Sequence, residues 1–348
     1  RDQAQIIKDL SDNYFVPVHN TPVNISLVQQ GLTEAIAAGK GPDISLYTGI
    51  GDSVNFAARG ALEDISSYEN FENILARYFP ASIEPFRYQG KVYGIPLQNS
   101  FNMMFYRKDI FEELEIEVPD TWNEFYDVML ILQKNKLMVG IPVGSPIMPD
   151  NSIFDMLLFQ NGGLYYNDER SATLFDTENA LKAFVQWTDF YRKYSLPISY
   201  DFYNRFRSGA MPLGIAGYPI YNMLSIAAPE IDGLWEMRPV PGTIREDGTL
   251  DRTTTGGLTG LIMLKGISDK QKGYRFIDWF TSSEIQIEYG LAVENIFGQA
   301  ARYDTANIEA LYAMNWPESQ AQVLIEPFDK VKLPPQIPAS YYITIIVT

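Results

Sequence analysis

The sequence contains no cysteine and a single histidine, His19, and these two shortages exclude several kinds of chemistry. Without cysteine the chain forms no disulfide, has no thiolate nucleophile and offers no cysteine ligand to a metal. One histidine cannot supply the two-histidine zinc motif HExxH, and His19 lies between Pro17 and Pro22 in a predicted loop. We therefore predict neither a metal site nor a cofactor.

Basic residues are also scarce, with 27 Lys and Arg against 43 Asp and Glu, which gives a net charge of −16. Such a field repels nucleic acid and anionic membrane surfaces, so no nucleic-acid partner is expected. No apolar run approaches the ~18–20 residues of a membrane span, and no basic and apolar leader opens the sequence. We expect Arg1 to be a mature or trimmed end, with any signal or anchor outside this sequence.

What the sequence does contain is ordinary globular material in abundance. Its 348 residues correspond to about two domains, and 46% of them are hydrophobic. Tyrosine and phenylalanine number 22 and 20, enough for large cores and for exposed rings that stack on a ligand. Helical and strand-like segments alternate along the chain, which predicts an α/β fold.

Local patterns place several of these elements. The segment 4–10 predicts an opening helix that ends at Ser11, and the alternation in VNISLV (23–28) predicts a half-buried strand. A helix closed by Gly39 and a buried strand within GPDISLYTG (41–49) are predicted next.

Two capping boxes mark the starts of later helices. Thr121 with Glu124 precedes an amphipathic run, and Ser268 with Gln271 repeats the pattern before GYRFIDWF (273–280). Both pairs therefore predict a helix N-terminus.

Nine segments resemble, in their order and spacing, the extracellular solute-binding proteins of bacterial ATP-binding-cassette importers, specifically the carbohydrate-binding group. Any one of them alone is weak evidence, whereas together they are specific. The segments are AIAAGKGPDI (35–44), GALEDIS (60–66), GKVYGIPLQNSFNMMFYRKDIFEE (90–113), VPDTWNEF (118–125), FQNGGLYYND (159–168), FRSGAMPLGIAGYPIYN (206–222), VPGT (240–243), TGGLTGLIM (255–263) and FIDWFTSSEIQ (276–286).

The resemblance implies a type II periplasmic-binding-protein-like α/β fold, with two α/β lobes joined by hinge strands and an interlobe ligand cleft. Lobe one is expected at 1–107 plus 253–300, and lobe two at 108–252 plus 301–348. The resemblance also implies a non-catalytic, monomeric receptor that closes by hinge motion around a saccharide and delivers it to a membrane permease. Its expected location is extracellular or periplasmic, with a membrane tether outside this sequence, as in a lipoprotein.

In open α/β sheets, ligands bind where strands end, and this rule singles out two stretches of lobe one. Tyr47 and Thr48 lie where the strand DISLY ends, at a loop kept tight by Gly49 and Gly51.

The second stretch follows GIPL, where polar side chains interrupt an apolar run. Amides supply both a donor and an acceptor to a sugar hydroxyl, although the same side chains could equally satisfy the loop backbone. The candidate residues are Gln98, Asn99, Ser100 and Asn102, with Asp109 expected to cap the next helix.

In lobe two, Asp150 and Asn151 either cap a helix or contact ligand. Gly217, Tyr218 and Tyr221 follow a buried strand, where the family places cleft residues, and the two rings either stack on a pyranose or pack in the core.

The return to lobe one opens on Gly256 and Gly257, in a loop that lacks nucleotide-binding spacing and instead indicates close backbone approach to ligand or hinge. Glu294 and Asn295, near the second crossover, are further candidates for the cleft, and Trp316 is a candidate for stacking. Arg302 either pairs with an acidic sugar or, as we favour, is a surface residue.

Both ends of the chain depart from the family pattern, as if a domain had been excised from a longer protein. The β-branched run YYITIIVT (341–348) either leads into a following domain or supplies a strand. Two other functions stay open: a ligand-binding module of a larger cell-surface protein, and a carbohydrate-active enzyme, which would need two carboxylates across one site.

Overall fold

The computed structural model describes residues 2–27, 31–143 and 150–338, which form two compact units of mixed α/β structure. Among these residues, unit 1 contains 2–99, 258–316 and 336–338, and unit 2 contains the parts of 100–257 that are described together with 317–335.

The α-helices of the described residues are numbered here in chain order. The first eight are α1 Asp2–Leu10, α2 Val16–His19, α3 Leu32–Ala37, α4 Ile50–Ala58, α5 Phe71–Leu75, α6 Pro80–Ile83, α7 Lys108–Glu113 and α8 Trp122–Lys134. The others are α9 Ser152–Gln160, α10 Glu178–Arg192, α11 Phe202–Arg207, α12 Ile220–Ala227, α13 Lys270–Phe280, α14 Ser283–Phe297, α15 Ile308–Ala313 and α16 Glu318–Asp329.

The strands are numbered in the same way. They are β1 Ile44–Gly49, β2 Arg87–Tyr88, β3 Lys91–Val92, β4 Gly94–Arg107, β5 Val139–Gly140, β6 Leu213–Gly217, β7 Trp235–Arg238, β8 Thr243–Ile244, β9 Leu250–Asp251 and β10 Gly256–Met263. Strands β4 and β10 are long enough to contribute residues to both units.

In unit 1, β10 lies between β1 and β4. Strands β1 and β10 are antiparallel, with Ile44 opposite Met263, and a bulge interrupts their register between Ser45 and Thr48. The apolar faces of these strands pack on α1, α13 and α14. The core comprises Ile6, Ile7, Leu10, Phe15, Ile95, Leu97, Leu261, Met263, Ile277, Phe280, Ile285, Tyr289 and Val293, among others.

In unit 2, β4 lies between β6 and β7 and is antiparallel to both, while the short strand β5 is parallel to β6. Aromatic side chains pack beside this sheet. The ring centroid of Phe105 on β4 lies 6.4 Å from that of Phe206 and 6.1 Å from that of Trp235. Trp122 and Phe190 form a second aromatic contact, with their ring centroids 5.8 Å apart.

The opening helix is longer than the sequence predicts. Helical structure continues past Ser11 as a π-helical turn, Ser11–Phe15, and then as α2, so His19 ends a helix instead of lying in a loop. Phe15 explains the extension: it is fully buried, with its ring centroid 5.1 Å from that of Trp279. Core packing of this ring favours continued helix where local propensity predicted an end.

The predicted strand at 23–28 is wrong for its described part, because 21–27 have no strand structure. The burial alternation itself is present, with Val23 and Ile25 packed against the core of unit 1. The alternation of apolar and polar residues therefore reflects packing of Val23 and Ile25 on the core, and 21–27 do not pair with a neighbouring strand.

One capping box is confirmed and the other is displaced. Thr121 and Glu124 bond reciprocally at the start of α8. At α13, however, the capping side chain is Asp269, which accepts from the backbone N–H of Lys272 at 3.0 Å. Ser268 is one residue too early, since an aspartate next to it fills the same role more strongly through its charge.

The boundaries of the compact units differ from those expected for the lobes. Residues 301–316 belong to unit 1, whereas 100–107 and 253–257 belong to unit 2. Two bonds to the Leu97 carbonyl fix the first segment: the Ala306 N–H and the Tyr303 hydroxyl each donate to it at 2.9 Å. The functional lobes and their hinge motion stay predictions.

No helix in the described part of the chain is both long enough and apolar enough to cross a membrane. The run YYITIIVT (341–348) lies outside the described residues.

Candidate functional site

The polar interruption after GIPL lies inside a strand, not in a loop at its end. Strand β4 continues without a break from Gly94 to Arg107. The amide stretch falls where this strand passes from unit 1, which ends at Asn99, to unit 2, which begins at Ser100. The predicted loop is therefore wrong, and the polar residues coincide with a change of unit instead.

Gln98 is the best-defined polar side chain of unit 1. Its Nε2 donates to Oδ1 of Asp304 at 2.6 Å, and its Oε1 accepts from the Thr259 hydroxyl at 3.3 Å. Both ends of the amide are thus held, and its orientation is fixed by residues more than 150 positions away in the chain. Gln98 itself stays half-buried.

Asp304 was missed by sequence reasoning. It occurs in RYDTAN, a stretch with turn-like composition and no motif, so no local signal identifies it. Desolvation by its surroundings raises the pKa of its carboxyl, although the hydrogen bond from Gln98 acts in the opposite direction. A carboxyl of this kind beside a held amide is a site feature that the fold alone creates.

Asn99 and Asn102 are buried, with exposed fractions of 1% and 6%. Their backbones complete the strand: the Asn99 N–H donates to the Asp304 carbonyl, and the Asn102 N–H donates to the Thr255 carbonyl, each at 2.9 Å. Of the four candidates on β4, Gln98 and Ser100 are the half-buried ones.

Tyr47 and Thr48 lie within β1, and Gly51 lies in the first turn of α4, so the predicted loop is absent. The Tyr47 hydroxyl is buried, and burial raises its pKa well above the usual value. Tyr47 has φ of +58°, as the adjacent β-bulge requires, and its ring packs against the core of unit 1. The buried Thr48 hydroxyl donates to Ser45 Oγ at 3.0 Å.

Glu294 and Arg302 form a buried ion pair in unit 1. Their side chains are each 5% exposed, and Arg302 Nη2 lies 3.1 Å from Glu294 Oε1. Arg302 is therefore not the surface residue that the sequence indicated. Its guanidinium also lies 4.7 Å from the centre of the Trp316 ring, a cation–π contact. Asn295, next to the pair on α14, is exposed.

In unit 2, the remaining candidates of β4 lie beside the start of β10. The Thr254 hydroxyl donates to the Asn102 carbonyl at 2.8 Å, and a Cβ on Gly256 would lie 1.9 Å from the Ser100 carbonyl oxygen. Gly256 and Gly257 are strand residues of β10, not loop residues. The close approach that their sequence indicated is to the backbone of β4.

We expect Gly256→Ala to lower the free energy of unfolding by about 2 kcal/mol, because the added methyl group must displace neighbouring backbone. Gly257→Ala is the matched control, since the nearest atom to its Cβ is the Ser100 Oγ at 3.3 Å, which can rotate away. Its expected cost is below about 0.5 kcal/mol. Urea unfolding followed by tryptophan fluorescence compares the two, and equal losses would contradict the packing argument.

Gly217 ends β6, opposite Asn102 of β4, and the next residue is Tyr218. Tyr218 is 1% exposed, and its ring centroid lies 4.7 Å from that of Phe101. Of the two roles considered for this ring, core packing is the one the structure supports. Tyr221, in the first turn of α12, is half-buried with its ring 5.2 Å from that of Trp235.

Asp150 lies just before the N-cap of α9, and its Oδ1 accepts from the N–H of Ser152, the first helical residue, at 2.8 Å, whereas Asn151 occupies the N-cap position without a side-chain cap bond. The Ser152 carbonyl in turn accepts from the Thr255 hydroxyl at 2.8 Å. The start of α9 is thereby tied to the start of β10. The cap expected from Asp109 at α7 is wrong: Arg107 occupies the N-cap position without a side-chain cap bond, and Asp109 instead pairs with Arg107 at 2.6 Å.

One turn into α9, Asp155 is buried and accepts a hydrogen bond from the Tyr165 hydroxyl. Desolvation raises the pKa of Asp155 to about 7, and the nearby Asp150 carboxylate adds to this rise.

The raised pKa predicts a pH-dependent stability. The contribution of Asp155 to the free energy of unfolding is fully present below the pKa of about 3.9 that it has in the unfolded chain. This contribution is lost as the pH rises from there through about 7, the pKa in the folded protein. In the wild type the free energy of unfolding should therefore decline by at most about 1.4 kcal/mol per pH unit between these two pKa values, and Asp155→Asn should remove this decline. Thermal unfolding from pH 4 to 8 measures it, with the exposed Asp127→Asn as control. Parallel profiles for wild type and Asp155→Asn would refute the assignment.

Among the described residues, no group of three or more His, Asp or Glu side chains is arranged to hold a metal ion. Unit 1 contains the amide of Gln98 held beside the desolvated carboxyl of Asp304, and unit 2 contains the close packing of β4 against the start of β10.

Comparison with known proteins defines the class. The sequence profile of bacterial extracellular solute-binding proteins matches residues 5–310, and the chain belongs to this family. A curated relative, the maltotriose-binding protein of Pyrococcus abyssi, is 24% identical over 292 residues, which cover 81% of this chain and 60% of that protein. The arabinooligosaccharide-binding protein of Halalkalibacterium halodurans is 22% identical over 62% of this chain and 49% of its own length. The matches thus span less than two-thirds of either relative.

Solved structures share the fold at low identity. The sugar-binding protein MalE of Xanthomonas citri aligns with a TM-score of 0.79 and 19% identity, covering 99% of this chain and 87% of that one. A solute-binding protein of an ABC transporter from Thermotoga lettingae, bound to α-D-tagatose, aligns with a TM-score of 0.72 and 22% identity, covering 98% and 86%. The expected periplasmic-binding-protein-like α/β fold is confirmed.

Proposed function

We propose that this protein binds a sugar or oligosaccharide outside the cytoplasm, without catalysis and as a monomer, and delivers it to the permease of an ABC importer. The observation that carries the proposal is the family match over 5–310, together with relatives named for maltotriose and arabinooligosaccharide binding. The held amide of Gln98, which keeps one N–H and one lone pair for a hydroxyl, supports it chemically.

Saccharide binding is tested by titration calorimetry with maltotriose, arabinotriose and α-D-tagatose, accompanied by chromatography of the saccharide after incubation. A saturable heat with unchanged saccharide supports a receptor, whereas new products would indicate an enzyme. If no saccharide of the panel binds, the proposal fails. Delivery is tested separately, since a strain lacking the gene should lose uptake of the labelled saccharide.

Gln98 provides a site-directed test. Gln98→Ala should weaken saccharide binding about tenfold, the effect of losing roughly one hydrogen bond to a polar ligand. Gln5→Ala, an exposed position on α1, is the control and should bind as the wild type. The buried Asn99 is a poorer target, because alanine there also disturbs packing within unit 1.

A further inference from the structure

Asp304 has an unusual environment for a carboxylate. It is half-buried, and in the described part of the chain its side-chain hydrogen-bond partner is Gln98, which donates to Oδ1 at 2.6 Å. Within the described ranges, no lysine or arginine offsets its charge. Removing a carboxylate from water without a cation is costly, so further hydrogen-bond donors would stabilise it.

The backbone around Asp304 is held firmly in place. Its carbonyl accepts from the Asn99 N–H at 2.9 Å, and the neighbouring Thr305 and Tyr303 are buried, with the Tyr303 hydroxyl donating to Leu97. The backbone at Asp304 is therefore anchored on both sides, while its carboxyl is only half-buried. Its position beside Gln98 is set by the fold.

The pair formed by Gln98 and Asp304 offers mainly acceptors. The Gln98 amide has used one N–H on Asp304 and one lone pair on Thr259, which leaves one donor and one acceptor. An ionised Asp304 adds only acceptor sites. A group that complements this surface donates hydrogen bonds and carries no negative charge.

We propose that Asp304 accepts hydrogen bonds from hydroxyl groups of the bound saccharide and selects neutral saccharides against acidic ones. The inference rests on the proposed function and specifies its substrate class. A sugar hydroxyl donates to the carboxylate and receives the remaining N–H of Gln98. A uronic acid would bring a second carboxylate to a group that has no cation to offset the repulsion, in a protein of net charge −16.

The test compares the dissociation constants of maltotriose, arabinotriose and trigalacturonate for the wild type, Asp304→Asn and Asp304→Leu. Asp127→Asn, an exposed aspartate on α8, is the matched control. The wild type should favour a neutral trisaccharide. Asp304→Asn should weaken that binding at least about tenfold and narrow the preference over trigalacturonate, and Asp304→Leu should weaken it further.

The outcomes separate this inference from the proposed function. A wild type that binds no saccharide overturns both. A wild type that binds a neutral trisaccharide while Asp304→Asn binds it equally well overturns the inference alone, as does a wild-type preference for trigalacturonate.

A wild-type measurement keeps the test valid where a variant fails to fold. Saccharide affinity should fall as the pH is lowered from 8 to 4, because Asp304, whose pKa is raised by desolvation, takes up a proton and protonation removes acceptor sites. The ionisable groups that interact with Asp304 are the phenols of Tyr289 and Tyr303, and burial raises the pKa of both, so they stay neutral in this range. An affinity independent of pH, in a protein shown to be folded by circular dichroism, would overturn the inference.

Discussion

Replacing Gln160 with leucine is expected to lower the free energy of unfolding by about 4 kcal/mol, although the two side chains are similar in size. Gln160 is fully buried at the end of α9 and uses both ends of its amide. Its Oε1 accepts from Trp122 Nε1 at 2.7 Å and from the Thr243 hydroxyl at 3.1 Å. Its Nε2 donates to the Pro241 carbonyl at 3.1 Å and to the Thr253 carbonyl at 2.9 Å.

The large effect follows from the groups that leucine would leave unpaired. The indole N–H of Trp122, which is 2% exposed, and two carbonyl oxygens would lose their partner, at about 1–3 kcal/mol for each group that stays dry. Since Gln160 joins α8, α9 and the segments around 241–243 and 253, the loss should appear in unit 2. Hydrogen exchange should show reduced protection of 240–255.

Gln5→Leu is the control, because Gln5 is exposed on α1 and bonds to Asp9 alone among the described residues. Its expected effect lies within about 0.5 kcal/mol. A double-mutant cycle with Trp122→Phe separates the indole contribution, since the phenylalanine variant has no N–H to leave unpaired. A Gln160→Leu loss below about 1 kcal/mol would contradict the hydrogen-bond argument.

Arg302→Met is expected to lower the free energy of unfolding by about 3 kcal/mol, because it leaves the Glu294 carboxylate buried without its cation. The substitution also removes the contact with the Trp316 ring. Urea unfolding measures the loss, and Arg302→Lys, which keeps the charge without the forked geometry, should lie between the variant and the wild type.

The double variant Glu294→Leu with Arg302→Met is the informative comparison. It removes both charges and should recover much of the stability lost in Arg302→Met. Its saccharide binding also distinguishes the roles considered for Glu294, since a structural ion pair predicts a dissociation constant close to that of the wild type. A loss of binding with recovered stability would instead place Glu294 among the ligand contacts.

Local sequence signals succeeded where the interacting residues are neighbours in the chain. The capping box of Thr121 and Glu124 is present because its two bonds span three residues. At α13 the same pattern failed by one residue, because Asp269 competes with Ser268 for the same backbone donors. Asp150 binds the first N–H of α9 for the same local reason, although Asn151 occupies the N-cap position.

Signals that depend on distant partners were less informative. The polar stretch in β4 is continuous strand because residues near 254–261 and 304–306 supply backbone partners, which the local composition could not show. Tyr218 follows a strand as expected, yet its ring is buried against Phe101, because burial depends on what the neighbouring strand presents.

The sequence by itself determined the chemistry that is excluded by the absence of cysteine, the α/β class and membership of the solute-binding family, since composition, periodicity and ordered motifs are properties of the chain alone. Only the tertiary structure decided which polar groups meet. Gln98 and Asp304 are 206 residues apart, and Glu294 pairs with Arg302, which the sequence placed on the surface. The physical reason is that a hydrogen bond or ion pair depends on distance in space and on burial, and folding sets both.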